Sequence, residues 1–292
     1  MYLWFSLEFI IFTANDQFME KTLIVAFDYS KESDSATDFA IQTAKAIGAR
    51  IVMFHLHNSA MDMINSRVAT FSVADALENF KMQAQSHVLK LQEKYDYPLK
   101  LEWTTGNFHD ELKKVIEKYE TRAVVMGMPE KSLEQELLGN TTTSAIHKLR
   151  VPVLAVPRST KYTGVKQILF ACDVEKGVEE QVLQRVREVA MSYGAQVTVF
   201  YVQKKVKDLE AASTDSPILK ILEDGLEGVS YTYKNVSSNA VIQAIHEEVK
   251  NIQADLLIMV PQKQGFWASM VHRSKTRQMA SHSEVPLFTI PL

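Results

Sequence analysis

The sequence repeats one pattern of apolar and polar stretches, and this internal repeat constrains the fold more than any other feature. The first copy opens with an apolar run at 23–27 followed by Asp28, and the second opens with a run at 168–172 followed by Asp173. Further segments match in the same order, first copy before second: 36–47 and 178–193, 51–54 and 197–201, 99–103 and 229–233, 109–119 and 239–252, 123–126 and 256–260, 152–156 and 286–290. The repeat predicts two related domains in tandem.

The matching segments alternate between strand-like and helical patterns. Short, continuous apolar runs are typical of parallel strands buried on both faces, and the periodic stretches between them indicate amphipathic helices. Right-handed crossovers then give an α/β fold with two tandem doubly wound parallel sheets of about five strands each. We expect the domains to cover 19–157 and 165–292, joined by a polar linker that contains proline and glycine.

Residues 1–18 stand outside the repeat. They begin with an apolar and aromatic run that lacks the basic start and the small-residue cleavage site of a signal peptide. We expect an extension that is not part of the fold, with Met19 as a natural start. A membrane anchor is the alternative interpretation.

Composition narrows the classes of partner and compartment. The 292 residues carry a formal net charge of -3, which does not favour nucleic acid or an anionic membrane as a partner. The single cysteine, Cys172, excludes a disulfide within the chain and lies in an apolar run, where we expect it to be buried in the core. A reducing cytoplasm fits this cysteine usage best.

The residues that could bind a ligand lie where strands are predicted to end. In an open parallel sheet, ligands bind beyond the carboxyl ends of the strands. Asp28 ends the first strand, Leu56 the second and Gly127 the fourth, and 139–142 opens the last helix with Gly-Asn-Thr-Thr. Such a helix start can present backbone N–H groups to phosphate. The alternative is that Asp28 caps the following turn and that Asn140 or Thr141 caps the helix.

These segments resemble the universal stress proteins. The resemblance is carried by 23–30 (Leu-Ile-Val-Ala-Phe-Asp-Tyr-Ser), 124–127 (Val-Val-Met-Gly), 137–141 (Leu-Leu-Gly-Asn-Thr) and 151–154 (Val-Pro-Val-Leu), and extends over nearly all of 19–292. It implies the adenine nucleotide alpha hydrolase-like fold and ATP or AMP as ligand, with magnesium if the ligand is ATP. In the ATP-binding branch, the matching residues would contact adenosine (Asp28, Leu56) and ribose or phosphates (Gly127, Gly139, Asn140, Thr141).

The first copy departs from the ATP-binding pattern of that family. Pro129 and Glu130 stand where the second glycine is expected, and the spacer before Gly139 is one residue short. Glu134 and Glu136 add negative charge that opposes a triphosphate. We interpret the first copy as an altered nucleotide site.

The second copy departs further. It has Val260-Pro261 in place of the first glycine and His272-Arg273-Ser274 in place of the Gly-Ser step. These last residues are either a polar helix entry or a different anion site. We expect no intact phosphate-wrapping backbone there.

No catalytic motif accompanies the possible binding site. The segment after Asp28 has no glycine-rich phosphate loop, and the chain has neither a Walker-type run nor a Gly-x-Ser-x-Gly elbow. The histidines lack metal-ligand spacing, so we expect no metal site.

Two functional hypotheses remain. The first is a non-enzymatic stress-response protein that senses adenine nucleotide, and the second is a scaffold that recruits an unidentified protein partner without nucleotide. The family resemblance also implies a pseudo-dimer within the chain, in which 152–156 lies against 286–290, and leaves both a monomer and a homodimer open.

Overall fold

The computed structural model describes residues 21–57, 73–128, 140–172, 178–203, 217–238, 240–261 and 285–292. The chain divides into two compact units, Met1–Met126 (unit 1) and Gly127–Leu292 (unit 2).

Unit 1 is built on a parallel sheet. Its elements in chain order are β1 (Thr22–Ala26), α1 (Lys31–Ile47), β2 (Arg50–His57), α2 (Val73–Tyr95), β3 (Leu99–Thr105), α3 (Phe108–Lys118) and β4 (Thr121–Met128), of which the last two residues belong to unit 2. The strand order is β3-β2-β1-β4, and each pair of neighbours is parallel. β1 therefore lies between β2 and β4, where the direction of winding reverses.

Unit 2 contains the second copy and the end of the first. Its further elements are α4 (Asn140–Lys148), β5 (Val153–Pro157), β6 (Gln167–Cys172), α5 (Glu180–Tyr193), β7 (Gln196–Gln203), α6 (Pro217–Gly225), β8 (Tyr231–Ser237), α7 (Val241–Asn251), β9 (Leu256–Met259) and β10 (Leu287–Thr289). The strand order is β5-β10-β9-β6-β7-β8. Neighbours are parallel except β5 and β10, which are antiparallel.

The fold class predicted from the sequence is confirmed. β3-β2-β1-β4 in the first copy and β8-β7-β6-β9 in the second have the same order, as expected for a duplicated doubly wound fold. At the end of the first copy, the Arg158 N–H donates to the Met128 carbonyl over 3.2 Å, so the end of β5 lies beside the end of β4. The domain limits 19–157 and 165–292 follow the sequence repeat and stay a prediction.

The predicted pairing of the two closing strands is also confirmed. Leu287 lies opposite Ala155 and Thr289 opposite Val153 in the antiparallel β5–β10 pair. The Thr289 hydroxyl donates to the Val153 carbonyl over 3.2 Å in a buried position. This contact explains why β5, a strand of the first copy, belongs to unit 2.

Helix ends follow local sequence signals. The Ser30 hydroxyl caps α1 by accepting from the Ser33 N–H over 3.1 Å. Gly48 and Gly194 end α1 and α5 in the left-handed conformation, with φ of 65° and 63°. Only glycine adopts this conformation without steric cost, so the Gly-Ala pairs of the sequence mark true helix ends.

The core is formed by strands that are apolar on both faces. Ile24 and Val25 in β1, and Ile168 to Phe170 in β6, are fully buried. Within the described parts of the chain, no helix combines the length and the apolar character that crossing a membrane requires. Residues 1–18, the predicted extension, lie outside the described residues.

Candidate functional site

Asp28 organises the turn that connects β1 to α1. Its Oδ1 accepts from the Ser30 N–H over 3.0 Å and from the Ser30 hydroxyl over 2.5 Å. The Ser30 hydroxyl in turn accepts from the Ser33 N–H, so the carboxylate supports the cap of α1. Oδ1 of Asp28 therefore caps the turn, which is the alternative role that the sequence analysis gave for this residue.

The carboxylate of Asp28 is exposed and favours its ionised form. Partial burial raises the pKa of Asp28, but hydrogen bonds from Ser30, Ser33 and its own backbone N–H together outweigh this effect and lower the pKa below its usual value. Both bonds from Ser30 engage Oδ1, so Oδ2 is the oxygen that a ligand would approach. An ionised oxygen at this position can accept from a hydroxyl or an amine.

Leu56 lies near the end of the neighbouring strand. Ala26 of β1 is opposite Phe54 of β2, and the Phe27 N–H donates to the Phe54 carbonyl over 3.0 Å. Leu56 is half-buried two residues farther along β2. The structure thus places Asp28 and Leu56 at the carboxyl edge of the unit 1 sheet, the edge at which open parallel sheets bind ligands.

In unit 2, Gly127 is joined to the start of α4. The Thr142 hydroxyl donates to the Gly127 carbonyl over 3.1 Å, and Thr142 is buried. α4 begins at Asn140, as the sequence predicts, and Thr141 in its first turn is exposed. Thr142 was not singled out from the sequence, although it belongs to the Gly-Asn-Thr-Thr run. Gly139 and Glu130 lie outside the described residues.

A cluster of four rings lies at the carboxyl edge of unit 1; we call it the ring cluster and define it as Phe27, Tyr29, His55 and His87. The Phe27 ring centroid is 5.0 Å from that of His55 and 5.6 Å from that of His87. The Tyr29 ring centroid is 4.9 Å from that of His55 and 5.1 Å from that of His87. The cluster thus connects the end of β1, the end of β2 and the middle of α2.

Tyr29 holds an unusual backbone conformation next to Asp28. Its φ is 63°, in the left-handed region that non-glycine residues seldom adopt. Tyr29 remains 46% exposed although its ring touches three other rings. A conformation of this kind is maintained only where the surrounding contacts offset its cost.

Both histidines of the ring cluster favour the neutral form. His55 is buried, and its Nδ1 lies 2.9 Å from the Phe27 carbonyl oxygen. Burial lowers the pKa of His55 below its usual value, against the opposing effects of that hydrogen bond and of Asp28. Burial likewise lowers the pKa of His87, while Asp34 opposes the change.

The second copy does not reproduce the ring cluster. Cys172 lies opposite Tyr201 in the β6–β7 pair, and these residues stand where the first copy has Phe27 and His55. Asp173 lies outside the described residues, and Val260 and Pro261 follow β9 directly. Among the described residues, no three His, Cys, Asp or Glu side chains are grouped so as to hold a metal ion.

Comparison with known proteins gives a family model that matches the first copy and solved structures that share the fold over both copies. The model of the "Universal stress protein family" matches residues 19–157. A universal stress protein from Archaeoglobus fulgidus DSM 4304 is 18% identical, with a TM-score of 0.67, over 94% of this chain and 97% of its own. The search of curated proteins returns no significant match.

Two structures from Pseudomonas aeruginosa have a similar extent. A putative universal stress protein from strain UCBPP-PA14 is 10% identical, with a TM-score of 0.53, over 93% of both chains. A functionally unknown protein from strain PAO1 is also 10% identical, with a TM-score of 0.52, over 93% of this chain and 92% of its own. At these identities the likeness establishes the fold, and it does so over both copies.

Proposed function

We propose that this chain, whose residues 19–157 match the model of the universal stress protein family, is a stress-response protein of that family whose first copy binds an adenine nucleotide. The observation that carries this proposal is the exposed carboxylate of Asp28 at the carboxyl end of β1. β1 lies between β2 and β4, and a ligand of an open α/β sheet binds where the winding reverses in this way.

The chemistry of Asp28 suits the sugar or the base of a nucleoside. Its ionised oxygen is an acceptor only, and both ribose hydroxyls and the adenine amino group are donors. The half-buried side chain of Leu56 offers apolar contact one strand away. These two residues account for the adenosine part of the ligand.

Recognition of the phosphates is assigned to the start of α4 by the family resemblance alone. The first turn of α4 contains no acidic residue, which favours an anion near the N-terminus of the helix. The preceding segment, however, contains Glu130, Glu134 and Glu136 against Lys131. We therefore propose that AMP binds at least as tightly as ATP, with or without magnesium.

We propose a binding role and not a catalytic one, in the cytoplasm. The sequence contains no motif that pairs a nucleophile with a base. The second copy, which lacks the glycine after β9, serves in this proposal as the structural partner of the first. The antiparallel β5–β10 pair supports such a pseudo-dimer within one chain.

Calorimetric titration of the chain from Met19 to Leu292 tests the proposal. ATP and AMP are titrated with and without magnesium, and we expect saturable binding near one equivalent. Asp28→Ala removes the acceptor and should weaken binding about tenfold or more, the loss expected for a hydrogen bond to a charged group.

Ser30→Ala is the matched control, because it removes the hydroxyl that caps α1 but leaves the carboxylate in place. We expect it to bind nucleotide nearly as well as the unaltered chain. Equal weakening by both substitutions would assign the effect to the turn and not to the acceptor. Absence of heat and of a thermal shift at about millimolar nucleotide would reject the proposal in favour of the scaffold.

A further inference from the structure

The ring cluster places two histidines from distant parts of the chain on the same pair of aromatic side chains. Both the Phe27 and the Tyr29 ring contact His55 of β2 on one side and His87 of α2 on the other. The Nδ1–H of His55 donates to the carbonyl oxygen of Phe27 over 2.9 Å. The cluster therefore attaches α2 to the end of the sheet.

α2 has few buried side chains. Among its side chains that the structure describes, only Ala84 and Val88 are buried, although the helix extends over 23 residues. Met82 and Leu89 are 55% and 51% exposed. A long helix with so little buried apolar surface opens more easily than the strands it covers. The ring cluster is one of its attachments, together with the Phe80 ring stacked 4.4 Å from the His57 ring and the Tyr95 hydroxyl, which donates to Asp38 over 2.8 Å.

The charges around the cluster change when the two histidines are protonated. His55 faces His57 on its own strand, Asp28 at the end of β1 and His87 on α2. His87 faces Asp34 of α1 and Lys90 of α2. Asp28 and Asp34 would attract the new charges, and the ring faces would too. Burial and the repulsion between the imidazolium groups oppose protonation, and the pKa values of both histidines are lowered on balance.

We propose that the ring cluster is an acid-sensitive attachment, in which protonation of His55 and His87 releases α2 from the carboxyl edge of the unit 1 sheet. Two neighbouring cations, one buried at His55 and one half-buried at His87, destabilise the cluster, whereas the released imidazoles are solvated. The released helix would leave the Tyr29 ring, next to Asp28, without its contact to His87. This inference does not depend on nucleotide binding.

The direction of the pH dependence follows from proton linkage. The pKa of each histidine is lower in the folded chain than the ordinary value of 6.5. The released state therefore binds more protons, and the stability of the attachment rises with pH. It is fully present above about pH 6.5 and is lost as the pH falls through the folded-state pKa values.

Backbone hydrogen exchange of the full chain between about pH 7.5 and pH 5 tests the proposal. After correction for the intrinsic exchange rate, α2 should lose protection about tenfold or more on acidification, while β1 and β6 keep theirs. The test variant is His55→Asn with His87→Phe. Asparagine retains a donor for the Phe27 carbonyl and phenylalanine retains a ring, so neither replacement titrates.

In the test variant the protection of α2 should change less than about twofold over the same range. The control is His147→Gln, which removes an exposed histidine from α4 and should behave like the unaltered chain. An equal loss of α2 protection in the test variant and the unaltered chain would overturn the proposal.

If the double variant does not fold, His87→Phe alone and the titration of the wild-type imidazoles by NMR decide the question. Resonances of His55 and His87 that titrate at or above the ordinary value, with no change in α2, would also overturn it.

Discussion

The three residues after Phe27 have different tasks within one turn. Asp28 accepts from Ser30, Ser30 caps α1, and Tyr29 between them takes a positive φ and turns its ring onto the two histidines. The cost of the left-handed backbone, about 1–2 kcal/mol for a residue with a Cβ, is offset by these ring contacts. The turn is consequently both a helix cap and the support of the exposed carboxylate.

Replacement of Ser30 tests the cap by itself. Ser30→Ala should lower the free energy of unfolding by about 1 kcal/mol, because the N–H of Ser33 loses its acceptor. Ser35→Ala is the matched control, since the Ser35 hydroxyl donates back to the Lys31 carbonyl of its own helix, a kind of bond that adds little to stability. Urea unfolding of the two variants measures the difference, and equal effects would contradict the assigned cap.

At the level of elements, α6 and α5 approach closely because α6 ends in glycine. A Cβ placed on Gly225 would lie 2.5 Å from Cδ1 and 2.8 Å from Cβ of Leu183, a fully packed residue of α5. The second of these atoms is fixed to the backbone, so a rotamer change of Leu183 cannot remove the clash. The short helix α6 thus depends on the absence of a side chain at its last position.

Gly225→Ala should therefore lower the stability of the chain, although alanine is the better helix former. We expect a loss of about 1–3 kcal/mol, the usual range for overpacking a core. Lys220→Ala, on the exposed side of α6, should change the stability by less than about 0.5 kcal/mol. Thermal and urea unfolding provide the comparison. A Gly225→Ala variant as stable as the Lys220→Ala variant would show that the helices can move apart without cost.

At the level of the whole molecule, β10 connects parts of the chain that are distant in sequence. It pairs in parallel with β9 and antiparallel with β5, which precedes it by more than a hundred residues. Leu287, Thr289 and Ile290 are buried. A strand with a partner on each side satisfies backbone groups of both neighbours, and its loss would leave two strand edges unpaired.

Deletion of residues 286–292 should lower the unfolding temperature by about 10 °C or more and promote association through the two free edges. Deletion of 1–18, the predicted extension, should change that temperature by less than about 2 °C. Calorimetry and light scattering measure both outcomes. If deletion of 1–18 proves the more harmful one, the extension is part of the fold and the sequence-based prediction is wrong.

The sequence by itself determined the order of strands and helices, the duplication and several helix ends. These features depend on short-range physics: apolar runs form buried strands, and glycines such as Gly48 and Gly194 permit the left-handed backbone that ends a helix. The predicted positions of Asp28 and Leu56 at strand ends belong to the same class of inference. Whether they bind nucleotide stays a prediction.

Only the tertiary structure decided which side chains meet. In the sequence, His87 was one of several scattered histidines. The rotation of α2 about its axis and the position of this helix across the sheet bring His87 to His55 and Tyr29. Cys172, expected to be buried, is only half-buried because it stands at the open end of β6. Such contacts depend on packing between segments far apart in the chain, and the local pattern of residues does not indicate which of these segments pack together.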